Sequence, residues 1–317
     1  MWILLACNNT SEALDENAIA TLTIFHSNDI MGYVKPCGWK SARYGGLARR
    51  ATFIHDNIDS SDFQIFLDAG SFGRGGGEIG QLYTDFLIKG LSEIGYKIFN
   101  LAYRDYINGG NYIQKLGKKY DVDFISSNTF YKDTNNHFTD PFLVKTIKAN
   151  KNAKSVPFDK IKIGIIGSCD EYGLLFSKQL KEKMLESKPP LEELQNSIER
   201  VRKKSDIVVF LFNGNYKTFK SILDQVTGID VAVMGGQYYM VTPNETYNTI
   251  VVTTPSLGKY GGRLTLELDK NKKIVSHSAQ KVPLKEDMKD DPEMVKLIQE
   301  FEAAEKKLQD SQIYGTK

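Results

Sequence analysis

Histidine is scarce in this chain of 317 residues, which holds four: His26, His55, His137 and His277. Little imidazole is therefore available to build a metal centre. The three cysteines form no Cys-x-x-Cys, so neither a zinc ribbon nor a thioredoxin-type motif is supported. A formal net charge of +2 makes no general case for nucleic acid or acidic partners. Low-complexity tracts, internal repeats, heptad arrays and apolar runs long enough to span a bilayer are also missing. What is present is a hydrophobic fraction of 41% with 25% charged residues. At this length that suffices for a large core in one α/β domain or in two small ones.

The N-terminus is unusual. Met1–Cys7 reads MWILLAC and is followed by the polar tract NNTSEALDENA. Leu4–Leu5–Ala6–Cys7 resembles a bacterial lipobox, whose Cys becomes the lipidated first residue of the mature protein. The basic region and most of the usual apolar stretch are missing, so an apolar N-terminal stub is the competing reading. The lipobox implies a bacterial periplasmic or surface location, anchored to a membrane through Cys7. Export in turn makes Cys37 and Cys169 a candidate disulfide, against the alternative of two ordinary unpaired thiols.

Short β-rich apolar runs alternate with helical patterns, which predicts α/β layering. Strands are expected at 21–25, 64–68, 97–101, 124–127, 162–167, 207–212, 231–234, 250–253, 263–268 and 274–280. The last two alternate apolar and polar residues around the turn Asp269–Lys273, as a half-buried hairpin does. Helices are expected at 47–57, 80–94, 110–120, 173–185 and 191–204. Near the C-terminus Asp291 is placed to cap a helix with Pro292 at its first position. Met294, Leu297, Ile298, Phe301 and Leu308 then share one face. These boundaries divide the chain into an N-terminal segment and tether (1–19), a main domain (20–291) and a helical tail (292–317).

Seven segments carry a family signature: TIFHSNDIMG (23–32), GGLARRATFI (45–54), FLDAGSFG (66–73), NLAYRDY (100–106), VVFLFNGNY (208–216), IDVAVMGGQYYM (229–240) and TPSLGKYGGRL (254–264). In this order they resemble the 5'-nucleotidase branch of the calcineurin-like metallophosphoesterases. The resemblance implies an α/β four-layer sandwich, two mixed β-sheets flanked by helices. It also implies two divalent metals held by Asp, His and Asn side chains at strand ends. In that branch a helical linker leads on to a nucleoside-binding domain, and with the linker placed at 292–317 that domain is expected to be absent.

The ligand positions themselves are changed. Asp29 matches the family, but Met31 stands where a histidine ligand is expected, and a thioether is a poor ligand for hard cations. Ser71 replaces the bridging Asp. Tyr103 replaces an Asn ligand and Arg104 the histidine that assists the leaving group. Asn213 stands for a histidine, and Gln237 and Tyr239 for two more. One carboxylate with neutral amides cannot hold two cations tightly, and Arg104 adds a fixed positive charge where they belonged. No metal and no cofactor are expected. The resemblance therefore implies an inactive phosphoesterase fold working as a binding or scaffold subunit with a protein partner. The competing readings are a residual hydrolase and a metal-free receptor for a phosphorylated small ligand.

The binding candidates are Arg74, Arg104, Tyr238, Tyr239 and Met240. Arg74 sits in Gly70–Gly77, a glycine-rich stretch between a strand and a helix whose amides suit an anion, or which is simply a flexible turn. Tyr238, Tyr239 and Met240 suit an adaptable recognition surface, or they plug the space the ligands vacated. Arg49 and Arg50 are expected to pair with helix-end or surface groups, and His26 to be a satisfied core histidine rather than a ligand.

Overall fold

A computed structural model describes residues 18–38, 43–151, 156–170, 185–236, 244–246 and 248–314. Two six-stranded sheets form its centre. The first has the order β14-β13-β1-β2-β3-β4, built from β1 (Ala20–Ser27), β2 (Phe63–Asp68), β3 (Ile98–Asn100), β4 (Asp123–Ile125), β13 (Tyr260–Leu268) and β14 (Ile274–Pro283). The second has the order β11-β12-β10-β9-β7-β6, from β6 (Phe142–Lys148), β7 (Lys160–Cys169), β9 (Ile207–Asn213), β10 (Val231–Gly235), β11 (Asn244–Thr246) and β12 (Thr249–Val252). A small pair, β5 (Thr129–Tyr131) with β8 (Leu185–Ser187), lies outside both. Each large sheet is mixed: β1 to β4 run parallel and β13 pairs antiparallel with both β1 and β14, while β7, β9, β10 and β12 run parallel, flanked by antiparallel β6 and β11.

The layers follow from which side chains each strand buries. Leu22, Ile24, Ile65 and Leu67 of the first sheet share one core with Ile163, Ile165, Val209, Leu211 and Val233 of the second. The sheets are thus packed face to face. The outer face of the first sheet is covered by α1 (Leu47–His55), α2 (Gly77–Glu93), α3 (Gly110–Tyr120) and α6 (Pro292–Tyr314), through Phe25, Leu87, Leu91, Phe99, Leu116, Leu297 and Phe301. The outer face of the second is covered by α4 (Pro190–Arg202) and α5 (Tyr216–Gln225), through Leu194, Ile198, Phe210, Phe219 and Ile222. The result is the expected helix–sheet–sheet–helix sandwich.

All ten expected strands are present, most within a residue or two at each end. The hairpin of β13 and β14 pairs as its alternation requires. The Asp291 cap also forms: its Oδ1 accepts from the amides of Glu293 at 3.1 Å and Met294 at 3.0 Å. Met294, Leu297 and Phe301 are buried, whereas Ile298 and Leu308 are only half-buried.

Four short or peripheral strands (β5, β6, β8 and β11) and the helix α5 were not expected. The start of α5 is set by Asn215, whose side chain accepts from the Thr218 amide at 2.9 Å. The expected helix 173–185 falls largely outside the described residues, and Leu185 opens β8 instead. No described helix is long and apolar enough to cross a membrane.

Candidate functional site

The parallel strands of both sheets end at one edge, and their C-terminal loops converge there, as the topology of an α/β sheet requires. Asp29 and Met31 follow β1, Ser71 follows β2, Tyr103 and Arg104 follow β3, Asn213 ends β9, Gly236 follows β10 and Ser256 follows β12. All eight line one cavity of about 60 Å³. The structure therefore brings together the described positions that the resemblance assigned to the site: Asp29, Met31, Ser71, Tyr103, Arg104 and Asn213. Gln237, Tyr238, Tyr239 and Met240 lie outside the described residues, as does Cys7.

The polar groups here bond to one another. Asp29 is 2% exposed. It accepts hydrogen bonds from Asn28 Nδ2 at 2.8 Å, the Gly236 amide at 2.7 Å and Asn213 Nδ2 at 3.2 Å. Ser71 Oγ donates to Asn213 Oδ1 at 3.2 Å, and the Asp29 carboxylate, which only accepts when ionised, is what calls for the Nδ2 end of that amide on its side. Gly235 permits this contact, because a Cβ there would lie 2.4 Å from Asn213 Nδ2. Burial raises the Asp29 pKa above the usual carboxylate value, and its three amide donors oppose that shift.

The backbone at these positions is strained. Asp29, Met31 and Ser71 have φ of 50°, 54° and 60°, in the left-handed region that costs a β-carbon residue about 1 kcal/mol or more. Two facing loops hold them there. The amides of Asp29, Met31 and Gly32 donate to the carbonyls of Gly70, Ser71 and Phe72, and the Leu257 amide donates to Asp29 O at 2.7 Å.

Beneath the cavity lies a group the sequence reading missed. Asp105 is buried, and its carboxylate accepts from the amides of Ser71 at 2.9 Å, Gly73 at 2.8 Å and Ala102 at 2.8 Å. This corrects the reading of the glycine-rich stretch. Its amides do cradle an anion, but the anion is Asp105 of the same chain. Arg74 is corrected as well. It does not line the cavity; its guanidinium lies over the rings of Tyr33 at 4.6 Å and Tyr83 at 5.1 Å.

Cys37 and Cys169 are both free thiols, not a disulfide. Cys37 pairs with Tyr44 in the loop leading to α1, while Cys169 is buried at the end of β7 in the other sheet.

Arg50 is 2% exposed and clamps α1 to the β12–β13 connection, donating to Gly258 O at 3.1 Å and Tyr260 O at 3.0 Å. Arg49 binds the carbonyls of Arg43 and Leu284 and pairs with Asp290. His26 is a core residue, as expected, but not a satisfied one: its Nδ1 has no partner among the described residues. Burial, with help from Arg50 and Lys281, lowers its pKa to about 3.

The buried acids make stability pH-dependent. Asp68 accepts from Ser27 Oγ at 2.6 Å and the Gly70 amide at 2.8 Å, yet burial pushes its pKa up to about 8. Burial likewise puts Asp105 at about 7. The folded chain therefore keeps protons that the unfolded chain has released, so stability falls as pH rises from about 4 toward 8. His26 acts oppositely, but only below its ordinary value of 6.5. Between pH 6.5 and 8.5 the acids should dominate. Asp68→Asn should lose less melting temperature over that interval than the wild type. Parallel curves for the two proteins would remove Asp68 from the account.

The fold and the ring of strand-end residues together define a metallophosphoesterase-type sandwich. Comparison with known proteins agrees. The chain is 24% identical over 305 residues to a snake venom 5'-nucleotidase from Crotalus adamanteus, covering 86% of this chain and 50% of that protein. It is 22% identical over 307 residues to 5'-nucleotidase from Bos taurus, with the same shares covered. Among solved structures, a 5'-nucleotidase precursor from Thermus thermophilus superposes with a TM-score of 0.74 at 18% identity, over 89% of this chain and 58% of that one. A calcineurin-like phosphoesterase from Bacillus subtilis superposes with a TM-score of 0.74 at 17% identity, over 90% of this chain and 98% of that one. No family model matches the chain. The chain thus resembles the 5'-nucleotidases and calcineurin-like phosphoesterases and has their fold. It spans about half the length of the curated relatives it matches.

The metals that this fold implies do not fit the residues present. The cavity offers one carboxylate, a primary amide, a thioether, hydroxyls and a guanidinium. Among the described residues no three His, Cys, Asp or Glu side chains come together as a ligand set.

Proposed function

We propose that this chain is a catalytically inactive, 5'-nucleotidase-like protein of the bacterial cell envelope that serves as a binding or scaffold subunit. One observation carries the reading. At Asn213 an N–H, not a lone pair, is directed at the one acid that survives from the ligand set. A metal held by Asp29 would have to displace that bond and would meet Met31 and Arg104 beside it. Elemental analysis after incubation with manganese or zinc and desalting should find no stoichiometric pair of metals. Two tightly held ions per chain would refute the proposal.

The envelope location rests on Leu4–Cys7. Mass spectrometry of native protein, made from a precursor with a complete signal, should show a lipid-modified Cys7 as first residue. An unmodified Met1 terminus in cytosolic material would exclude export. The partner we propose is a protein met by Tyr238, Tyr239 and Met240, in the sequence segment where the resemblance expects histidine ligands. A second reading, a metal-free receptor for a phosphorylated small ligand, is favoured by the unpaired guanidinium of Arg104.

A further inference from the structure

Arg104 is the charged group of the cavity that the surrounding protein leaves unanswered. Its Nε is sealed from solvent and has no hydrogen-bond partner among the described residues. Its guanidinium lies near the ring of Tyr103, 5.6 Å from the centroid, and no described carboxylate pairs with it. The sealed Nε faces no water-sized void, so an anion in the cavity would take its bonds from the terminal nitrogens of the guanidinium. Asn213 Nδ2 carries two protons and uses one on Asp29, and the hydroxyl-bearing Ser71 and Ser256 border the same space. Asp29 already accepts three bonds, and an ionised carboxylate has about four such positions.

Size narrows the ligand. A cavity of about 60 Å³ cannot take a nucleoside. It has room for a few waters, each needing on the order of 10–15 Å³, or for one tetrahedral oxyanion. Charge narrows it further. An oxyanion between Arg104 and Asp29 is attracted by the first and repelled by the second, unless it brings a proton of its own. Inorganic phosphate carries one at neutral pH and sulfate does not. A phosphomonoester loses its last proton with a pKa of about 6.

We propose that this cavity is a metal-free pocket for inorganic phosphate, in which Arg104 donates to the anion and the anion's own proton is donated to Asp29. The pocket rests on the metal-free reading of the site given above. It replaces cation coordination by one guanidinium and turns the surviving acid from ligand into discriminator.

Calorimetric titration of chelator-treated full-length chain at pH 7.5 tests this with phosphate, sulfate and glycerol phosphate. Phosphate should bind, and sulfate and glycerol phosphate should bind at least about tenfold more weakly, the loss of one good hydrogen bond. Arg104→Met should abolish phosphate binding, and Asp29→Asn should erase the preference over sulfate. The ranking of the three anions by the unaltered chain decides the matter even if a variant fails to fold. Equal binding of sulfate, or no phosphate binding at millimolar concentration, overturns the pocket while leaving the inactive reading intact. Phosphate binding that appears only after manganese or zinc is restored overturns both.

Discussion

Purified protein supplied with manganese or zinc should hydrolyse nucleoside monophosphates, cyclic nucleotides and model phosphodiesters no faster than a mock preparation. The chemistry asks for two things that the described site does not provide. A nucleophile at neutral pH comes from metal coordination, which lowers the pKa of bound water from about 15.7 to about 7. The leaving oxygen needs a proton from a positioned acid, a contribution of about 10²–10⁴ in rate. By the family resemblance Arg104 stands where a leaving-group histidine is expected, and a guanidinium does not give up a proton in the accessible pH range. By the same resemblance Asp29 is the acid kept from the ligand set, and three of its acceptor positions are taken by Asn28, Asn213 and the Gly236 amide. Turnover that rises with added metal and vanishes in Asp29→Ala protein is the result that would show a working centre.

Much of this was legible from sequence because the frame and the ligands report on different things. The frame is hydrophobic patterning and turns. Ile207–Phe212 is an apolar run that becomes a central parallel strand buried on both faces, and Phe63–Asp68, with Gln64 and Phe66 half-buried, becomes a central parallel strand of the other sheet. The ligand positions are fixed relative to that frame by strand ends, so Met31, Ser71, Tyr103, Arg104 and Asn213 converge as the motif order implies. Asp29, Met31 and Ser71 hold left-handed backbone there.

What could not be read was the second layer. A loop such as Gly70–Gly77 advertises spare amides, but sequence does not say which carboxylate folds beneath them. Asp105 is 34 residues from Ser71 and meets it only because β2 and β3 are neighbours. The cysteines failed for the mirror reason. Both follow strands toward the same edge, but Cys169 is spent on the core and Cys37 on a local bridge to Tyr44. Short strands such as β5 and β8, three residues each, carry too little periodicity to be seen.

Asp105→Ala should destabilise the protein by about 3 kcal/mol or more, the largest loss expected from any single polar truncation around the site. Three buried amides lose their acceptor together, and each unsatisfied donor costs on the order of 1–3 kcal/mol. Water entering the vacated space offsets part of that sum, which keeps the estimate at the lower end. Asp105→Asn should also be destabilising. Oδ2 takes two of the three bonds, from Ser71 and Ala102, so whichever way the new amide turns, at least one N–H faces another N–H. The two loops joined by this carboxylate carry Ser71 on one side and Tyr103 and Arg104 on the other, so the cavity should loosen before the sheets do. Thermal unfolding followed by circular dichroism should show a melting temperature lower by roughly 6–12 °C for Asp105→Ala, on the scale of about 2–4 °C per kcal/mol. Hydrogen exchange should place the first loss of protection at the amides of Ser71, Gly73 and Ala102. A loss below 1 kcal/mol, with those amides still protected, would mean that the loop after β2 is held by the Asp29–Gly70 and Met31–Ser71 bonds to the loop after β1 and that Asp105 is a passenger.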